Sequence, residues 1–125
     1  MRFILDTHVV LWWLDDPGLL SETARNAIAE PSNEIFVSAA SAWEIAIKRG
    51  LGKLQTEDHF MEAILACGFK PLAMTMAHAL ATEELPPHHR DPFDRMLISQ
   101  AICEGATLIT RDSTLMLYGI PIIRA

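Results

Sequence analysis

Four acids in this 125-residue chain have positions from which carboxylates could act together: Asp6, Glu44, Asp94 and Asp112. Asp6 directly follows the apolar run Phe3-Ile4-Leu5, where it either faces a ligand or caps the next helix. Glu44 is the only charge in Ala39–Ile47, a segment apolar nearly all round, on a stripe with Ala40, Ile47 and Leu51. A buried carboxylate is costly without a partner, so Glu44 either has one or belongs to a capping box with Ser41. Asp94 lies in the first turn of a helix, above Leu97, Ile98, Ala101 and Ile102. The helix dipole alone would favour a negative charge there. Asp112 comes shortly after Thr107-Leu108-Ile109-Thr110, where turn residues are common. Asp91 is different: it stands immediately before Pro92, the place of a helix N-cap, and reads as structural.

Crowded carboxylates repel one another and take up protons. A divalent cation removes that repulsion. An all-oxygen donor set, without Cys or a His pair, suits Mg²⁺ or Mn²⁺ and not zinc. Such ions activate water and stabilise charge building on a phosphoryl oxygen, the chemistry of phosphodiester hydrolysis. The formal charge of -6 opposes nonspecific binding to a polyanion. Bound dications would offset much of it. Lys48, Arg49, Lys53, Arg90, Arg95 and Arg111 flank the acid-bearing segments and could hold a phosphate backbone, or serve as solvated surface charge.

The elements that must position these acids alternate. Strands are expected at 3–5, 35–37, 71–73, 107–109 and 122–123. Helices are expected at 9–14, from Ser21 to about Ala29, at 39–49 behind Ser38 with Gly50 just past its end, from Thr56 to Gly68, at 75–85, and from Asp91-Pro92 to Gly105. Alternation of this kind predicts an α/β fold with a parallel sheet covered on both faces. Right-handed crossovers put all strand carboxyl ends on one edge, where open α/β sheets bind ligands. Two strand ends and two helix starts then deliver the four acids to that edge. The length predicts one domain, residues 1–125. Cys67 and Cys103 are expected as small buried hydrophobes. The sequence has no signal-peptide pattern and no apolar run of about 18 residues, which makes the cytoplasm the expected location and a membrane partner unexpected.

The ordered set Asp6, Ser38 with Glu44, Asp94, and Thr110-Arg111-Asp112 resembles the PIN-domain family. The strings Leu5-Asp6-Thr7-His8, Ser38-Ala39-Ala40-Ser41-Ala42-Trp43-Glu44-Ile45 and His89-Arg90-Asp91-Pro92-Phe93-Asp94-Arg95 are similar to its VapC-type toxin ribonucleases from bacterial toxin–antitoxin pairs. The resemblance spans essentially the whole chain. It implies a three-layer α/β/α sandwich with a short, mainly parallel central sheet. It implies endoribonuclease cleavage of RNA with Mg²⁺ or Mn²⁺, with Asp6 and Asp94 as direct ligands and Glu44 and Asp112 completing the pocket, partly through water. A cognate antitoxin and a homodimer are the partners it implies.

Thr7, Ser41 and Thr110 could hydrogen-bond the ligand carboxylates, or cap helices and pack strand ends. His8, His88 and His89 could contact phosphate or move a proton; surface or structural roles are the simpler reading. Trp12 and Trp13 read as core. Two other functions fit parts of the pattern. A small-molecule phosphohydrolase of the haloacid-dehalogenase type also has an Asp after strand one, but needs a second Asp two residues on, where this chain has His8. A non-catalytic protein-interaction module that retains a metal site would also use the acids.

Overall fold

A computed structural model describes residues 1–55 and 59–125. Five short strands build one sheet: β1 (Arg2–Leu5), β2 (Glu34–Ser38), β3 (Lys70–Leu72), β4 (Thr107–Thr110) and β5 (Ile122–Arg124). All are parallel, in the order β3-β2-β1-β4-β5. The α-helices are α1 (Thr7–Asp15), α2 (Glu22–Ala29), α3 (Ala39–Gly50), α4 (Phe60–Ala66), α5 (Met76–Ala81) and α6 (Pro92–Glu104).

Strand side chains alternate between faces, and here the alternation divides the core in two. Phe3 and Leu5 of β1, Ile35 and Val37 of β2 and Ile109 of β4 pack with Val9 and Val10 of α1, Ala24 and Ile28 of α2 and Ile64 of α4. Ile4, Phe36 and Leu108 pack on the opposite face with Leu97, Ile98 and Ala101 of α6 and with Leu115. The result is the three-layer α/β/α sandwich expected from the sequence. Chain direction across the sheet reverses between β1 and β4, so a crevice opens above their carboxyl ends.

Several boundaries follow local chemistry. Ser21 caps α2 by accepting from the Ala24 N–H, and Ser38 caps α3 by accepting from the Ala40 N–H. Asp91 caps α6 with two backbone N–H groups, from Phe93 and Asp94. Gly105 ends α6 at a φ of 61°, a backbone that residues with a Cβ adopt reluctantly. β3 tolerates Pro71 because it is an edge strand.

Other expectations need correction. The helix predicted over 75–85 is α5, Met76–Ala81, followed by a 3-10 turn at Thr82–Glu84. Thr75 is its N-cap, and Leu85 is extended because it precedes Pro86. The first helix starts at Thr7 and not at Val9, and α3 includes Gly50. α3 is not buried all round: Ala40, Ser41, Glu44 and Ile45 face inward, whereas Trp43, Ile47 and Leu51 are exposed. It packs against α1, α6 and β2. Ile102 likewise faces outward from α6. Cys67 and Cys103 are exposed free thiols, not buried hydrophobes, because the buried faces of their helices lie on other residues. The proposed cap Thr56 lies outside the described residues. No helix among the described residues is long and apolar enough to cross a membrane.

Candidate metal and active site

The register of β1 and β4 pairs Leu5 with Ile109, so the next residues, Asp6 and Thr110, stand side by side at the crevice. The Thr110 hydroxyl donates to Asp6 Oδ2 at 2.6 Å. Asp6 occupies the N-cap position of α1, but its side chain makes no capping hydrogen bond. Its carboxylate is nearly buried, at 6% exposure. Burial raises its pKa, the Thr110 hydroxyl and His8 oppose the rise, and the Glu44 charge adds to it.

Glu44 comes from the second turn of α3 and leans back toward the same edge, as helical side chains do. The capping-box alternative fails, because Ser38 caps α3 and Ser41 instead accepts a hydrogen bond from the Thr7 hydroxyl at 3.0 Å. Thr7 and Ser41 therefore join α1 to α3; among the described residues, Thr110 alone of the three hydrogen-bonds a carboxylate. Lys48, one helical turn on, is Glu44's cationic partner at 2.9 Å.

Asp94 and Asp112 meet through a residue that the sequence left undecided. His89 Nε2 lies 3.1 Å from Asp94 Oδ2 and 3.0 Å from Asp112 Oδ2. His89, Asp94 and Asp112 form the group among the described residues whose ligand atoms lie within 4.8 Å of one another. Asp6 and Glu44 stand outside that group but line the same cavity, of about 370 Å³, together with Asp94, Asp112, His8 and Lys48. Asp94 is pushed up to about 7 by burial and by the charges of Asp6, Asp91 and Glu44, with His89 opposing. Burial works to raise Asp112 too, but hydrogen bonds from the Thr114 N–H and His89 hold it below the usual carboxylate range.

These acids fit a hard divalent cation. The donors are carboxylate oxygens on a crevice at a strand switch point. Among the described residues, Glu44 Oε1 and Asp94 Oδ1 accept no hydrogen bond. Burial is the largest cause of the rise at Asp94, and the charges of Asp6, Asp91 and Glu44 that add to it are charges a dication would offset.

The basic residues divide. Arg95 does not face the cavity as a phosphate-holding group: it donates to the carbonyls of Thr82, Leu85, Pro86 and His89 and to the Tyr118 hydroxyl. Arg111 lies 4.3 Å over the Trp12 ring and donates to the carbonyls of Leu19 and Ala125. Lys53 and Arg90 are exposed and have no side-chain partner among the described residues. His8 is exposed, with its ring 5.8 Å from Trp12, and His88 packs edge-on against Tyr118. Trp12 and Trp13 pack against the core, whereas Trp43 is 57% exposed and meets Phe93 edge-on.

Comparison with known proteins places these features in context. A family model described as PIN domain matches residues 3–119. Ribonuclease VapC22 of Mycobacterium tuberculosis is 31% identical, over 94% of this chain and 92% of the relative. A chain in the crystal structure of VapBC2 from Rickettsia felis, bound to a DNA fragment from their promoter, superposes with a TM-score of 0.74 at 17% identity, over 99% of this chain and 98% of that one. A chain of DNA-bound VapBC from Salmonella typhimurium gives 0.70 at 17% identity, with the same coverage. At those identities, the two structures speak for the fold.

Proposed function

The chain belongs to the PIN domain family, and we propose that it is a divalent-metal-dependent endoribonuclease, the toxin of a toxin–antitoxin pair. The observation that carries this reading is one cavity lined by Asp6, Glu44, Asp94 and Asp112 above the β1–β4 switch point. The similarity to a ribonuclease over most of its length supports RNA as the substrate. We read residues 1–125 as one such domain, working in the cytoplasm.

Asp6 and Asp94, with Glu44 and Asp112 completing the pocket, would hold Mg²⁺ or Mn²⁺, which would supply Lewis acidity and lower the pKa of a bound water. The chain's own residues prepare that site. Thr110 fixes the Asp6 carboxylate, Lys48 fixes Glu44, and Thr114 and His89 fix Asp112. α6 points its positive N-terminal end at the cavity, which favours the Asp94 charge and a bound phosphodiester. In-line attack of water on phosphorus breaks a phosphorus–oxygen bond, and the leaving oxygen takes a proton.

A second, larger cavity supports the antitoxin as partner. Leu11, Trp12, Leu14, Leu54, Phe60 and Ala63 line a cavity of about 640 Å³ between α1 and α4. It shares His8 and Trp12 with the acid cavity, so a segment seated there could extend over the acids. The exposed Trp43 and Ile47 of α3, Leu51 just past its end, and Met76 and Leu80 of α5 support a homodimer.

The test is cleavage of several RNA substrates with Mg²⁺ or Mn²⁺ by wild type, Asp6→Asn and Asp94→Asn. Wild type should cleave and lose activity to a chelator, and both variants should be inactive. Chelator-resistant cleavage, undiminished in both variants, would overturn the mechanism.

A further inference from the structure

We propose that His89 is a positioning residue of the acid site: its Nε2–H donates to Asp112 and sets that carboxylate beside Asp94, at the spacing a divalent cation requires. The inference rests on the metal-site reading above. It starts from how firmly the residue is fixed. The backbone N–H of His89 donates to the Tyr118 hydroxyl at 2.9 Å, and its carbonyl accepts from Arg95 at 3.4 Å. Arg95 also binds the carbonyls of Thr82, Leu85 and Pro86, so it holds the whole approach to His89. The ring is as constrained as the backbone. The Asp91 N–H donates to Nδ1 at 3.0 Å, and Nε2 stands between the two carboxylates.

The Asp91 contact fixes the tautomer. A backbone N–H can only donate, so Nδ1 carries a lone pair, and the proton of the neutral ring sits on Nε2. Two consequences follow. Nε2 offers no lone pair to a metal in this arrangement, although its distance to the carboxylates would suit a shared ion. Nor does the ring hold a spare proton for a leaving group, because giving up its only one would make an imidazolate. What remains is hydrogen-bond donation to Asp112 Oδ2 at 3.0 Å, with Asp94 Oδ2 in close polar contact 3.1 Å from the same nitrogen. Asp94 Oδ1 stays open to a cation. Asp112 is held at both oxygens, by His89 at Oδ2 and by the Thr114 N–H at Oδ1 at 2.8 Å. It therefore meets a cation through a remaining lone pair or through water. Contacts of this kind set the orientation of metal-binding carboxylates, and their loss weakens metal affinity about 10–100-fold.

The experiment is calorimetric titration of the full chain with Mn²⁺, for wild type, His89→Ala and His89→Gln, with folding followed by circular dichroism. His89→Ala should weaken Mn²⁺ binding about 10–100-fold. His89→Gln, which keeps an N–H donor, should recover most of the loss. Equal or tighter binding by His89→Ala, or no recovery in His89→Gln, would overturn the proposal. Should the variants fail to fold, pulsed electron paramagnetic resonance of Mn²⁺-loaded wild type decides it. Coordination of the His89 nitrogen would overturn the proposal, and its absence would support it. Neither measurement uses RNA. Metal binding with this pattern but without RNA cleavage would therefore sink the ribonuclease reading alone.

Discussion

The two ends of α6 carry polar clusters of opposite character. At its C-terminal end, Glu104 is the one carboxylate, and it has two partners. Its Oε1 accepts from His78 Nε2 at 2.9 Å, and its Oε2 lies 3.6 Å from Arg2, which also donates to the Glu104 carbonyl. His78 is almost fully buried, and its Nδ1 accepts the Thr75 N–H in the capping box of α5. At the N-terminal end, Asp6, Glu44, Asp94 and Asp112 share one cavity with Lys48 and Arg111, and His89 Nε2 stands between Asp94 and Asp112. The first cluster is complete as folded. In the second, burial and then the charges of Asp6, Asp91 and Glu44 push Asp94 up to about 7. A fold retains such a cost where another component removes it, and that contrast marks the N-terminal end as the working one.

Asp94→Asn tests the contrast most sharply, because its two effects have opposite signs. RNA cleavage and Mn²⁺ binding should fall by about 100-fold or more. The metal-free chain should become more stable, by on the order of 1–2 kcal/mol, because the substitution removes a buried charge without changing shape. Urea midpoints and initial cleavage rates measure the two effects on the same preparations. A variant that lost both stability and activity would show Asp94 to be structural.

His78→Ala should do the reverse at the other end. It leaves the Thr75 N–H and Glu104 short of partners and opens a cavity under α5, at a cost of about 2–4 kcal/mol. Cleavage per folded molecule should stay close to wild type. Loss of activity beyond the unfolded fraction would mean that the two ends of α6 are coupled.

The pH dependence follows from the same contrast. Asp94 titrates near 3.8 in the unfolded chain and near about 7 in the folded one. The folded chain therefore holds the extra proton between those values, and metal-free stability should decline as pH rises from about 4 to about 7. Asp6, also raised, adds to the decline. Asp112, which is lowered, acts in the opposite sense: its stabilisation is present above the unfolded value and lost as pH falls below it. Saturating Mn²⁺ should flatten the decline, which thermal midpoints across this range would register. An unchanged slope with and without metal would break the link between the raised acid and cation binding.

How much of this the sequence disclosed depended on how local each cause was. The strands, and the caps Ser21, Ser38 and Asp91, were legible because apolar runs and capping chemistry act within a few residues. The placement of the acids was legible too, since parallel topology sends strand ends and helix starts to one edge. His89 was not, because its position is set by Arg95 and Tyr118, six and 29 residues away. Arg95 was misjudged for the same reason: its carbonyl partners belong to a loop whose path a sequence pattern does not give. Lys48 is different. Its four-residue spacing from Glu44 was on the page from the start, and the apolar reading of α3 obscured it.

That pair also sharpens the comparison from within the working end. Lys48 is the cation that pairs with an acid of the cavity, which Arg111 also lines, and its side chain is 40% exposed while Glu44's is 8% exposed. Exposure limits what the pair contributes, so Lys48→Gln should cost only about 1 kcal/mol in the metal-free chain. Most of that cost is Glu44 left in a low-exposure site without a counter-charge. A dication in the cavity would supply that counter-charge from the other side. Under saturating Mn²⁺ the penalty should therefore shrink toward zero in paired urea titrations. The Glu104 cluster, whose carboxylate is partnered by His78 and Arg2, provides the control: Arg2→Gln should cost the same with and without Mn²⁺. If Lys48→Gln behaved like Arg2→Gln, Glu44 would belong with the completed cluster and not with the metal site.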